Sequence, residues 1–202
     1  MRRTKEEAAR TRQVIFEAGL RVFSEKGFAA ATMSDVAREA GTTRGAIYWH
    51  FRNKEAFFKE ILDRLSEQYK GLVAEATESE LPFLEVLRNA IKKLLYRFAE
   101  DPQFRAMQEL TIRSALNRDG MISAEIQFEH DAMGYEVIQK AMKEGEVFSR
   151  WNAATAFFAL SAVISGAFIQ MIDLEMKPTK KQIEELADFV VRGFLPASSG
   201  LD

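Results

Sequence analysis

Between residues 32 and 54 the chain gathers side chains suited to gripping a polyanion and reading its surface. They are Thr32, Thr43, Arg44, Gly45, Tyr48, Trp49, His50 and Lys54. A guanidinium such as that of Arg44 presents a planar fork matching the O6 and N7 acceptors of guanine. Thr43 can reach a phosphate oxygen or a thymine methyl, and Gly45 lets backbone approach closely. The Tyr48 phenol and the His50 imidazole suit phosphate oxygens. Trp49 is open to two readings, as part of that face or as core. Lys54 falls in the first turn of a helix, facing the positive end of its dipole, where a bound phosphate would account for it. Thr32 opens another helix and is placed to anchor a second phosphate. Arg2, Arg3, Lys5, Arg10 and Arg12 add non-specific charge ahead of this cluster.

The local pattern says which elements must hold these groups. Ile15, Ala18, Gly19, Val22 and Phe23 recur at the spacing of one helix face. Lys26-Gly27-Phe28 closes that helix with a basic turn, a left-handed glycine and an apolar residue that folds back. Thr32 caps a short second helix, with Asp35 at its positive end, running to Ala40. Gly41 supplies the turn and Thr43 caps a third helix, Arg44 to about His50. Two short helices joined by a glycine-containing turn make a helix-turn-helix. Val36, Ala40, Ile47 and Phe51 supply its shared core, and the first turn of the third helix lacks bulky apolar groups, so it can enter a major groove. Asn53 caps a long fourth helix.

At these residues the chain resembles the TetR/AcrR family of bacterial repressors. The run from Thr32 to Phe58, with TRGAIYWHFRNKEAFF within it, and the Ile15 to Phe28 spacing ahead of it carry the likeness, over about residues 8–65. The resemblance implies a homodimer that binds a near-palindromic double-stranded DNA operator and is released by a small molecule. It also implies a C-terminal bundle that is both sensor and dimerisation platform.

The rest of the chain agrees with an all-α protein of about nine helices. After Pro82 helical segments are expected at 82–100, 103–117, 121–144, 151–174 and 179–194, and no stretch alternates with the period of a strand. The expected division is a DNA-binding domain over 1–53 and a ligand-binding and dimerisation domain over 54–202. Charge divides similarly. Residues 1–65 carry 13 Lys/Arg against 9 Asp/Glu, a net of +4, whereas residues 66–202 carry 15 against 21, a net of −6. Only the first part is suited to a polyanion.

For the sensor, Phe104, Met107, Leu110, Thr111, Ser114, Phe128, Asp131, Phe158, Ser161 and Phe168 stand at helical spacing. A cavity of Phe and Met with a few polar anchors suits a flat, hydrophobic or aromatic inducer, although stripes of this kind are more often core than pocket. Glu109, Arg113 and His130 are further ionisable groups that could face inward. The stretch from Ala153 to Ile172 is free of charge and long enough to span a bilayer. Its Ala, Ser, Thr and Gly instead suit close helix packing, so a core or subunit-interface helix is expected and no membrane. With 179–194 it makes the expected dimer face.

The charged N-terminus has no secretory h-region, and a cytoplasmic location is expected. The absence of cysteine, of nucleotide-binding glycine motifs and of H-E-x-x-H argues against an enzyme, and no cofactor is expected. A purely architectural DNA binder would be basic throughout, unlike this acidic second part. Within the family, control of multidrug or aromatic-compound efflux is favoured over acyl-CoA sensing for lipid metabolism.

Overall fold

In the computed structural model, residues 5–117, 124–147 and 151–194 are described, apart from the side chains of residues 73, 76, 77, 115–117 and 124–133. Arg2, Arg3 and the junction between the helical segments expected at 103–117 and 121–144 lie outside them. The described residues form nine helices: α1 Lys5–Ala30, α2 Met33–Glu39, α3 Arg44–His50, α4 Lys54–Glu78, α5 Phe83–Glu100, α6 Pro102–Asn117, α7 Ala124–Lys143, α8 Ala153–Asp173 and α9 Lys180–Arg192.

Local chemistry explains most boundaries. Gly27 takes the left-handed conformation expected of it (φ 75°) and kinks α1. Phe28 then turns back to stack on Phe23 and meet Phe58 edge-on. Threonine hydroxyls cap α2, α3 and α9, while Asn53 and Asn152 side chains accept from Ala56 and Thr155 backbone N–H groups at the starts of α4 and α8.

The chain divides into two compact units, Met1–Leu65 with Pro102–Ser123 and Ser66–Asp101 with Ala124–Asp202. This differs from the boundary expected after residue 53. The first turns of α4 bury Phe57, Phe58, Ile61, Leu62 and Leu65 in the same unit as Phe16 and Phe23. There α6 packs along α1, with Phe104, Met107 and Leu110 buried. Periodicity marks a helix and its apolar face but does not say which neighbour that face meets, and here it meets an element far away in sequence.

In the second unit α5 packs against α9 and α8, and α7 against α8. Phe98 stacks on Phe168 with centroids 4.4 Å apart. Arg88 reaches Glu85 and Asp188, tying α5 to α9, and these carboxylates raise its pKa. Helix α8 is long and apolar enough to cross a membrane by length and composition, yet little of it is buried in the chain itself. Phe158 on α8 and Phe189 on α9 are 74% and 71% exposed.

Candidate nucleic-acid interface

The helix-turn-helix is held from both ends. Gly41 has φ 61°, and the Thr42 N–H donates to the Ala37 carbonyl at 2.9 Å, closing the turn between α2 and α3. The Thr43 hydroxyl accepts from the Ala46 N–H at 3.2 Å and starts α3. Ile47 is fully buried, as are Val36 and Phe51, while Ala40 is only partly covered. Burying Ile47 turns the opposite side outward. Thr43, Arg44, Gly45, Tyr48 and Trp49 are all exposed, and His50 is half-buried.

Side-chain geometry on that face is specific. The Arg44 guanidinium carbon lies 5.8 Å from the Tyr48 ring centroid, within reach of a cation–π attraction that holds the fork over the helix. Trp49 is 71% exposed, with its ring edge-on to His50 at 4.5 Å. Of its two readings the structure gives the outward one.

Two expected phosphate anchors have other partners. The Thr32 hydroxyl accepts from the Asp35 N–H at 3.1 Å and donates to the Asp35 carboxylate at 2.8 Å, and the Thr32 N–H donates to the same carboxylate. This capping box uses the hydroxyl proton that a phosphate would take. Lys26 and Arg38 also reach Asp35. The Lys26 ammonium and the Thr32 hydroxyl hold the Asp35 carboxyl well below the usual carboxylate range.

Lys54 donates to the Phe28 and Ala29 carbonyls at 2.9 and 3.1 Å and lies over the Phe28 ring. Its charge is met by the negative end of α1, so a bound phosphate is not needed to explain its position. Those carbonyls are some 25 residues away in the chain, which is why the sequence does not reveal them. Arg12, expected to add loose charge, is likewise engaged. It donates to the His50 carbonyl and to Glu60, and stacks over Phe51.

The residues expected to line a ligand cavity are spread over both units. Phe104, Met107, Leu110 and Ser114 on α6 are buried in the first unit, and the Thr111 hydroxyl bonds back to the Met107 carbonyl. In the second unit Phe168 is core, Phe158 is exposed and Ser161 is partly covered. The side chains of Phe128, Asp131 and His130 lie outside the described ones. Glu109 and Arg113 pair with each other on α6. A cleft of about 150 Å³ opens instead between α4 and α5, lined by Leu72, Glu75, Ser79, Leu81, Val86, Asn89, Ala90 and Lys93. Glu75 and Lys93 pair across it at 2.6 Å. Sequence reasoning missed this cleft because it exists only where α4 lies beside α5, bringing together residues such as Glu75 and Lys93 that are 18 positions apart.

An all-α chain that turns a short, capped, polar helix outward from a helix-turn-helix is a DNA-binding transcriptional regulator, and comparison with known proteins narrows the class. The model of the family described as "Bacterial regulatory proteins, tetR family" matches residues 15–61. The chain is 32% identical over 172 residues to the HTH-type transcriptional regulator TtgR of Pseudomonas putida, covering 82% of each chain. It is 32% identical over 173 residues to the HTH-type transcriptional repressor BepR of Brucella suis, again with 82% of each chain covered.

Among solved structures it resembles NalD, the secondary repressor of the MexAB-OprM multidrug efflux pump in Pseudomonas aeruginosa. The TM-score is 0.74 at 24% identity, over 96% of this chain and 100% of that one. FadR from Bacillus subtilis, solved in complex with stearoyl-CoA, shares the fold with TM-score 0.72 at 20% identity, over 94% and 99% of the two chains. The chain belongs to the TetR/AcrR family of bacterial regulators.

Proposed function

We propose that this regulator is a repressor that binds a near-palindromic operator as a homodimer and is released by a small hydrophobic or aromatic molecule. The observation that carries the reading is the outward face of α3, where Arg44, Tyr48 and Trp49 stand clear of the fold while Ile47 anchors the helix. Arg44 reads a guanine, and Thr43, Gly45, Tyr48, Trp49 and His50 surround it with backbone and phosphate contacts. Thr32 and Lys54 contribute to DNA binding only if their present partners yield. A second copy covers the exposed apolar side of α8 and α9, including Phe158 and Phe189, which also accounts for an apolar helix without recourse to a membrane. Acting on DNA, the protein works in the cytoplasm.

The sensor is the second unit. The α4–α5 cleft holds roughly one aromatic ring in its present form, whereas a drug-sized ligand needs about 300–1,000 Å³. A ligand of that size would bind there only if the cleft opened and α4 shifted. Control of multidrug or aromatic-compound efflux is the preferred reading, and NalD, a repressor of a multidrug efflux pump, shares the fold. FadR gives the rival reading, an acyl-CoA ligand, through a likeness of fold.

Titrating an aromatic drug panel and an acyl-CoA series, with and without a duplex selected by the protein, separates the readings. The expected result is thermal stabilisation by aromatic compounds and weaker binding of them when DNA is bound, by the same factor that they weaken DNA. Stabilisation by acyl-CoA alone would replace the efflux reading. Equal ligand affinity with and without DNA would remove release by ligand.

A further inference from the structure

Helix α3 has seven residues, of which Ile47 is the buried one. Ile47 within the helix and Phe51 at its C-cap are its buried anchors, and the last carbonyls of so short a helix lack helical partners. Arg12 of α1 is placed at that end. Its guanidinium donates to the carbonyl of His50, the last residue of α3, and stacks 4.3 Å over the ring of Phe51, which follows. It also donates to Glu60 on α4. Glu60 is 15% exposed and accepts from Arg64 at 2.7 Å, and Arg64 donates to Gln13 at 3.0 Å while lying 3.6 Å over Phe16. Three helices meet in this cluster, all within the first unit.

We propose that Arg12 and Glu60 are positioning residues for DNA reading. Together they form a clasp that sets the pitch of α3 against α1 and α4, and Arg12 acts through α3 rather than by touching phosphate. Glu60 lies on the helix that continues into the second unit, so the clasp is the point at which a displacement of α4 reaches α3. The inference rests on α3 entering DNA, as argued above.

Charge and geometry predict opposite signs, which makes the test sharp. Glu60→Gln removes a negative charge near a DNA-binding face, so simple electrostatics would tighten binding. In the clasp, Glu60 accepts from two arginines, and a glutamine offers one of them an N–H instead of an oxygen, so binding weakens. The probe is the duplex that the wild-type full chain selects from a random pool, titrated over a range of salt.

Glu60→Gln and Arg12→Gln should each weaken binding about ten-fold or more with the wild-type salt slope. The double variant should lose no more than the worse single one. Binding by Glu60→Gln at or above wild-type strength would overturn the proposal. So would a salt slope lowered by about one unit in Arg12→Gln, the mark of a lost phosphate contact.

If either variant proves too unstable to titrate, hydrogen exchange in the DNA-free Glu60→Gln chain, well below its melting point, decides. Faster exchange in α3 with the α1 core unchanged supports the clasp, and unchanged exchange in α3 refutes it. Arg44→Ala is the control. If it too leaves DNA binding untouched, the reading of α3 has failed rather than the clasp.

Discussion

Lys54 and Asp35 show how a charged residue near a DNA-binding face acquires a structural duty. Lys54 satisfies two terminal carbonyls of α1, so Lys54→Ala should lower stability by about 1 kcal/mol, read as a drop in melting temperature without DNA. An unchanged melting point would return Lys54 to the phosphate role. For Asp35 the sign follows from its depressed pKa in the folded state. The ionised carboxylate contributes fully above about pH 4, its unfolded value, and the contribution is lost as pH falls below that. Asp35→Asn should therefore melt below wild type near neutral pH, with the difference shrinking as the solution is acidified toward about pH 3.

The outward residues of α3 were legible because caps and helical period are local, and a buried Ile47 fixes which residues face out. The partners of Arg12 and Lys54 were not, because each contact joins residues 25 or more positions apart.

At the scale of elements, close crossings show why small residues stand where they do. A Cβ on Gly19 would lie 2.3 Å from the Phe57 ring where α1 meets α4, and one on Gly134 would lie 2.4 Å from Phe157 where α7 meets α8. Gly19→Ala should cost about 1–3 kcal/mol through overpacking, measured by chemical denaturation, despite the better helix propensity of alanine. Helix order and most boundaries followed from Gly27, Gly41, Asn53 and Pro82. The allegiance of α6 did not. Its Phe104, Met107 and Leu110 read as core more readily than as pocket, and they are buried on a helix that packs along α1.

For the whole molecule, the exposed apolar side of α8 and α9 makes a second copy the natural cover. Phe158→Asp places a charge on a residue that is 74% exposed in one chain. Its fold should therefore persist while the sedimentation coefficient shifts from dimer to monomer and operator affinity falls. A wild-type chain that sediments as a monomer at all concentrations would remove the dimer. The division of charge, a net of +4 over residues 1–65 and −6 over residues 66–202, is the asymmetry expected if only the first segment meets DNA.

The central claim is that the exposed side of α3 lies in the major groove with Arg44 on a guanine. Methylation interference at guanine N7, performed on the selected duplex with wild-type and Arg44→Ala protein, tests it most directly. The expected pattern is two symmetric clusters about 34–36 Å apart along the duplex. In Arg44→Ala one guanine in each half-site should stop mattering, at a cost of about 1–3 kcal/mol in affinity. An interference pattern identical in the two proteins would contradict the account.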